Sequence, residues 1–370
     1  MWVSDIGIVN FRNFEKLQIA LENGVNIVYG DNANGKTNFI EAIYFCATGR
    51  SQRASHDSEL IKFGCLESHM QLVVERPLID FESDFKLKSH SKIKIDVHLG
   101  TSGKKKGIAI NHIPIKKLSQ LYGQLLVVIF TPEDMKMIKG GPKERRAFID
   151  IELCQLSSVY CHALKQYHQA LKQRNNLIKA IPKDRSLLDT LEVWDAPLCE
   201  YGPQIMAHRS GFIKDLENIA ARIHGDITGG KEKLTLIYRP NITEPQQFKE
   251  KLSKSLERDI AIGNTSLGIH KDDVDFAING NPIKIYGSQG QQRTASLSVK
   301  LAEIQLIKER AKQVPVLLLD DVLSELDENR QGFLFEQIKE IQTVITCTGI
   351  EDVLKKTTGN ILKMVEGRIE

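Results

Sequence analysis

Cysteine is sparse in this sequence: the six residues, at 46, 65, 154, 161, 199 and 347, include no CxxC spacing. That pattern argues against a cysteine zinc knuckle and against a disulfide framework. Long apolar runs are missing too. The stretch Leu125 to Phe130 is far too short to span a bilayer, and Met1 to Glu15 is too polar for a secretory leader, so a cytoplasmic location without a membrane partner is expected. There is no Pro, Gly or Ser tract, no low-complexity linker and no internal repeat. The 50 lysines and arginines are nearly balanced by 47 aspartates and glutamates, and at a net +3 electrostatics alone does not point to nucleic acid.

What is present is a chain of 370 residues, 41% hydrophobic and 26% charged, longer than one core usually supports. Two globular units are expected, one interrupting the other. Up to about residue 135, apolar and polar positions alternate, as in Lys92-Ile93-Lys94-Ile95-Asp96-Val97, with one helix after Gly35. Gly103-Lys104-Lys105-Lys106-Gly107 reads as a hairpin turn with solvated lysines, or as a DNA phosphate contact by Lys104 and Lys105. From Arg145 the period changes: Ile149, Leu153, Leu156, Tyr160, Leu164, Tyr167 and Leu171 recur by threes and fours, and Leu187 to Ile223 repeat the spacing. These stripes predict an antiparallel helical arm over 141–229, kinked or briefly broken at Pro197 and Pro203. Lys172, Arg174, Lys179, Lys183 and Arg185 fall at its tip, gripping phosphate or a partner's acidic surface, or simply solvated.

The chemistry is concentrated in Gly30-Asp31-Asn32-Ala33-Asn34-Gly35-Lys36-Thr37, which fits GxxxxGK[ST] between the strand-like Val25 to Tyr29 and the helical Asn38 to Ala47. Such a loop turns backbone amides onto phosphate oxygens, with Lys36 reaching the β- and γ-phosphates and the Thr37 hydroxyl available to Mg²⁺. An accidental match arises in roughly one chain per hundred of this length. Val316 to Leu319 is a buried-strand run ending in Asp320, placed where a carboxylate would hold the magnesium directly or through water. Asp321 follows and could orient or deprotonate the attacking water; it is one methylene shorter than glutamate, so slow hydrolysis is predicted. Ser288-Gln289-Gly290-Gln291-Gln292-Arg293 opens a helical segment. It is either a plain capped helix or a second phosphate-facing helix start that completes a neighbour's site in a two-fold dimer.

Taken with Asn10-Phe11-Arg12-Asn13, Gly49-Arg50-Ser51-Gln52-Arg53, Phe130-Thr131-Pro132-Glu133-Asp134, Arg145-Arg146-Ala147-Phe148-Ile149-Asp150, His270-Lys271-Asp272-Asp273 and Leu319 to Asp327, these motifs resemble the RecF family, related to SMC and ABC-type ATPases, over essentially the whole chain. The resemblance implies an α/β ATPase head of mixed sheets and flanking helices, split over 1–140 and 230–370, with the arm inserted between. It also implies that Arg12 and Asn38 join the P-loop in holding ATP. Ser288, Gln289, Gly290 and Gln291 would form the signature that meets the γ-phosphate in trans, and Ser324 to Asp327 a D-loop at the dimer interface. Glu133 takes the magnesium-sensing position with Thr37 and Asp320, and Arg53 resembles the arginine of the loop after the P-loop helix, with DNA as another possible contact. Two departures stand out: Gln289 in the signature, and Cys347 where related strands end in histidine, leaving Thr346 or Thr348 to touch the γ-phosphate. His270, Asp272 and Asp273 match a family motif whose chemistry spacing does not reveal.

The family implies ATP-dependent dimerisation on gapped or junction DNA and cooperation with RecR and RecO in loading RecA. A nucleotide-binding subunit of an ABC transporter is the main rival, weakened by the helical arm between Lys36 and Ser288. A metabolic kinase would need a phosphoryl acceptor and no Ser288 segment.

Overall fold

The computed structural model describes residues 1–77, 90–102 and 106–370. Lys104 and Lys105, and with them the expected phosphate contact, lie outside the described residues. The chain divides into two compact units, 1–134 with 303–370, and 135–302.

In the first unit, β1 (Trp2–Phe11), β2 (Phe14–Ala20), β4 (Glu67–Pro77), β5 (His90–Gly100), β6 (Lys106–Ile110) and β7 (Ile113–Pro114) form an antiparallel sheet in the order β2-β1-β4-β5-β6-β7. Its strands alternate because one face is buried: Met70, Leu72, Val74, Ile95, Val97 and Leu99 point into the core. A second sheet, β15-β14-β3-β13-β12-β8, joins β3 (Val25–Tyr29), β8 (Val127–Phe130), β12 (Val316–Asp320), β13 (Thr343–Cys347), β14 (Asn360–Val365) and β15 (Arg368–Ile369). All pairings from β14 to β8 are parallel. Sequences such as Val-Leu-Leu-Leu, apolar without alternation, suit strands covered on both faces.

Helix α1 (Lys36–Thr48) packs on β1, β4 and β5 on one side and on β8, β12 and β13 on the other. This explains why Phe39 to Ala47 is apolar nearly all round; a helix held between two sheets has no wet stripe. Helices α10 (Glu328–Gln337) and α11 (Glu351–Leu354) complete this unit. It has the mixed-sheet ATPase-head architecture expected.

The second unit holds α2 (Met135–Lys139), α3 (Pro142–Leu156), α4 (Ser158–Ala180), α5 (Leu191–Thr228), α6 (Phe248–Lys254), α7 (Leu256–Ile262) and α8 (Ile283–Tyr286), with a three-stranded sheet of β9 (Leu234–Arg239), β10 (Asp273–Ile278) and β11 (Asn281–Pro282). Helix α9 (Gln289–Ala311) spans the boundary between the units in sequence. The 141–229 arm thus covers only α3 to α5 of a larger unit, which also takes in 230–302, expected above with the head, because α5 also packs along β9.

Two expectations for the arm need correcting. Helix α5 runs unbroken through Pro197 and Pro203, so the short break expected there as the alternative to a kink is absent. Its packing on α4 and β9, with Gly202 so close to the Phe248 ring that a Cβ would stand 2.5 Å from it, outweighs the local cost of a proline, about 3 kcal/mol. Arg174 is not a surface cation: it is fully buried, donating to Asp195 at 2.6 Å, Asp259 at 2.7 Å and Thr265 at 2.8 Å. Lys172, Lys179, Lys183 and Arg185 are exposed as expected.

Candidate nucleotide site

Four parallel strands, β3, β8, β12 and β13, end at one edge of their sheet, where open α/β sheets place ligands. Each contributes there: β3 runs into the P-loop, β12 ends at Asp320, β13 carries Thr346 and Cys347, and Thr131 to Glu133 follow β8. A cavity of about 250 Å³ is lined by Thr37, Glu41, Arg53, Thr131, Glu133 and Asp320, among others.

At its floor Thr37 donates from Oγ1 to Asp320 Oδ1 at 2.9 Å, bringing together residues 283 positions apart in sequence. Thr346 donates to the same oxygen at 2.8 Å and accepts from the Asp321 amide at 3.1 Å, so it holds the Asp320 carboxylate and the Asp321 backbone rather than pointing freely at a ligand. Burial pushes the Asp320 carboxyl above its ordinary value, against the pull of Thr346, Thr37 and the positive charge of Arg53. A hydroxyl and a buried carboxylate at this separation, with Glu133 on the same cavity, form the hard-oxygen donor set that suits Mg²⁺. Asp321 has φ 53°, an uncommon left-handed setting for a non-glycine residue.

Lys36 folds back, its Nζ donating to Gly30 O at 2.7 Å and Asp31 O at 2.8 Å. The two loop glycines are dictated by space. A Cβ on Gly30, at φ 154°, would sit 2.2 Å from Met364 O, and one on Gly35, at φ 105°, 2.5 Å from the Asn13 side chain. Ala33 too is left-handed, at φ 68°. Asn34 ties the loop to β14 by donating to Met364 O at 3.1 Å, and the Gly367 amide donates to Asn34 O at 3.1 Å. Asp31 and Asn32 are exposed beside them, and Asn38 donates to Asn13 at 2.8 Å.

Arg12, in the β1–β2 turn, pairs in a two-pronged fashion with Glu41, Nε to Oε2 at 2.9 Å and Nη2 to Oε1 at 3.0 Å. Ser51 donates to the same carboxylate at 2.6 Å, and Arg53 lies 3.7 Å from it while donating to Asn38 at 3.2 Å. Arg53 therefore belongs to the rim of the nucleotide cavity, where a phosphate contact competes with the DNA contact expected for it. Burial drives the Cys347 thiol up to about 11, against the pull of Lys36; it stands as a neutral group where histidine is usual in the family pattern.

Elsewhere, Ser288 and Gln291 form a reciprocal cap on α9: Gln291 Oε1 accepts from the Ser288 amide at 2.9 Å, and Ser288 Oγ from the Gln291 amide at 3.2 Å. Ser288 and Gln289 are exposed and Gly290 half-buried, while the Gln291 side chain is also held by Glu232 at 2.9 Å. The capped-helix reading is thus realised, with the helix start still facing solvent. Ser324 is exposed and donates to Asp321 O at 2.9 Å, and Asp327 caps α10 through the Arg330 amide at 2.9 Å.

The comparisons give the site its context. The RecF/RecN/SMC N terminal domain family matches residues 2–367. The DNA replication and repair protein RecF of Lachnoclostridium phytofermentans is 46% identical over 372 residues, covering 100% of this chain and 99% of its own. Its counterpart in Acetivibrio thermocellus is 46% identical over 360 residues, covering 95% and 94%. The chain belongs to the RecF family. A solved structure of the recombination mediator protein RecF-ATP in the RecFOR pathway matches with a TM-score of 0.87 at 35% identity, covering 100% of this chain and 98% of its own. The Pyrococcus furiosus Smc head domain, at TM-score 0.56 and 18% identity, shares the fold alone.

Membership in the RecF family also frames the motif at His270. In this structure Asp273 accepts both prongs of Arg145, at 2.6 and 2.9 Å, and Asp272 accepts from Arg209 at 2.9 Å and the Asn241 amide at 2.8 Å. His270, held at Tyr167 and Thr265 O, is pushed down to about 4 by burial and stays neutral. The motif pair is an internal brace of the second unit. Sequence reasoning assigned no role to Glu41, although a lone carboxylate in an otherwise apolar helix signals a buried partner. Asn13 entered only as part of the Asn10 to Asn13 motif, with no role of its own.

Proposed function

We propose that this protein is an ATP-dependent DNA-binding protein of replication and recombinational repair, whose ATP site uses Gly30 to Asn38, Arg12 and Asp320. The observation that carries the reading is the meeting of Thr37 and Asp320 at 2.9 Å beneath a glycine-shaped phosphate loop. When bound, Mg²⁺ would be held by Thr37 and Asp320, with Glu133 nearby, and would neutralise charge on the β- and γ-phosphates.

The chain's own groups divide the remaining work. Lys36 exchanges its two carbonyl partners for the triphosphate, a change its flexible stem allows. Arg12, fixed by Glu41, and Arg53 supply positive charge from the opposite rim. Asp321, backed by Thr346, orients the attacking water; its short reach makes hydrolysis slow, suiting a switch better than a motor. Ser288, Gln289 and Gly290 offer an exposed helix start to a second copy's γ-phosphate, and Ser324 and Asp327 an exposed surface next to Asp321. ATP then acts as the bridge of a two-fold dimer on gapped or junction DNA, and its hydrolysis releases the DNA. Cooperation with RecO and RecR in loading RecA extends this reading, and what supports it is a solved relative named as a recombination mediator in the RecFOR pathway. Among the described residues, no helix is long and apolar enough to cross a membrane.

The test is sizing by light scattering with and without ATP and gapped DNA. A dimer that forms only with ATP, and is reinforced by DNA, is expected. A mass indifferent to both would overturn the reading.

A further inference from the structure

A cluster far from this chemistry in sequence remains unexplained. On the outer face of the antiparallel sheet, His69 of β4 stands directly opposite His98 of β5. Glu67 lies two residues before His69, on the same face of its strand. Nδ1 of His98 is 3.3 Å from Nε2 of His69, and Glu67 Oε1 is 3.6 Å from that same Nε2. One ligand atom from each of the three lies within 4.8 Å of the other two. From the geometry we infer that Glu67, His69 and His98 form a binding site for a zinc-type divalent cation, distinct from the nucleotide site.

Spacing is the first argument. Atoms about 2.0–2.1 Å from a tetrahedral zinc ion stand about 3.3–3.4 Å apart, so the two nitrogens already span one edge of the tetrahedron, and the carboxylate, 3.6 Å from one nitrogen with its ligand atom within 4.8 Å of the other, closes in to complete the face. Donor type is the second: two imidazoles and one carboxylate suit zinc, whereas magnesium prefers an all-oxygen shell. Room is the third. Gly107 of β6 is paired with His98, and without a side chain there it leaves a surface groove of about 470 Å³ beside both histidines. The fourth coordination position faces that groove or solvent, open to water or to a donor from another molecule.

The alternative is a simple hydrogen bond between the rings, in which one nitrogen carries a proton. Metal binding needs both nitrogens proton-free, a state each neutral imidazole reaches by keeping its proton on the other ring nitrogen. A bound ion would fasten β4 to β5 and stabilise the sheet by mass action.

The experiment is calorimetric titration of Zn²⁺ into the full chain, stripped of metal by chelation, with Mg²⁺ as a control. One equivalent of zinc is expected, uncompeted by Mg²⁺. Because loss of a mere orienting partner costs 10–100-fold in metal affinity, His69→Ala and His98→Ala should each weaken binding by at least about a hundredfold. Glu67→Gln should weaken it less and Cys65→Ser not at all. Substituted Co²⁺ should show no thiolate charge-transfer band. The positions are partly exposed, so the variants should unfold at the parent's temperature without zinc; if one does not, Glu67→Gln combined with His69→Gln replaces it. Absence of binding, binding that survives both histidine variants, or a cobalt thiolate band would overturn the site.

Discussion

Glu41 is the residue through which the arginines of the nucleotide site can be tested. Its side chain is 4% exposed, accepts both prongs of Arg12 and the Ser51 hydroxyl, and has Arg53 at 3.7 Å. Removing one member of a fully buried ion pair costs about 3–5 kcal/mol. Arg12 is 21% exposed, so water recovers part of that, and glutamine keeps one acceptor. Glu41→Gln should therefore cost about 1–3 kcal/mol, read from the urea midpoint at unchanged m-value. Because it also releases Arg12 and Arg53, affinity for a fluorescent ATP analogue should fall about tenfold, the equivalent of about 1.4 kcal/mol. The decisive assay is a double-mutant cycle with Arg12→Met, in which contacting residues should show a coupling of about 0.5–3 kcal/mol. Additivity within about 0.5 kcal/mol, or unchanged nucleotide affinity in Glu41→Gln, would refute the positioning argument.

Other outcomes follow from the same geometry. Burial raises the Asp320 carboxyl, so the folded state holds its proton more tightly than the unfolded one, and this group works against folding as pH rises above the unfolded value of about 3.9. Asp320→Asn should then stabilise the protein at pH 7 by roughly 0.5–2 kcal/mol while losing Mg²⁺-dependent turnover, with the gain fading below about pH 4 in thermal melts; a gain that grows toward acid would reverse the assignment. Ser288→Arg should leave nucleotide binding by the monomer unchanged and abolish the ATP-dependent dimer in light scattering, whereas a persistent dimer would count against the trans contact. Arg174→Met strands Asp259, which has no exposure, and should cost about 3–5 kcal/mol in urea unfolding; a loss under about 1 kcal/mol would mean that the buried cluster contributes little.

The nucleotide loop was legible because its chemistry is local: eight consecutive residues carry spacing, glycines and context together. Asp320 was legible because a strand buried on both faces has an unmistakable composition. Glu41 escaped because its meaning lies in Arg12, which arrives from the β1–β2 turn, 29 positions earlier. The arm was visible in its period, yet Arg174 was misplaced; charge in a sequence says nothing of burial when the counterions Asp195 and Asp259 come from α5 and α7. Pro197 and Pro203 misled for the opposite reason, since tertiary packing overrode a local preference. The histidine pair of β4 and β5 was invisible, because only strand register brings positions 69 and 98 opposite each other.

Strand β3, which feeds the phosphate loop, is flanked on both sides by β13 and β14, and Asn34 is fastened to a carbonyl 330 positions downstream. During synthesis, the early strand must wait for neighbours made hundreds of residues later before its loop can take its working shape. A nascent chain would thus carry a recognisable motif that grips nothing, and competence for nucleotide would arrive abruptly, late in translation.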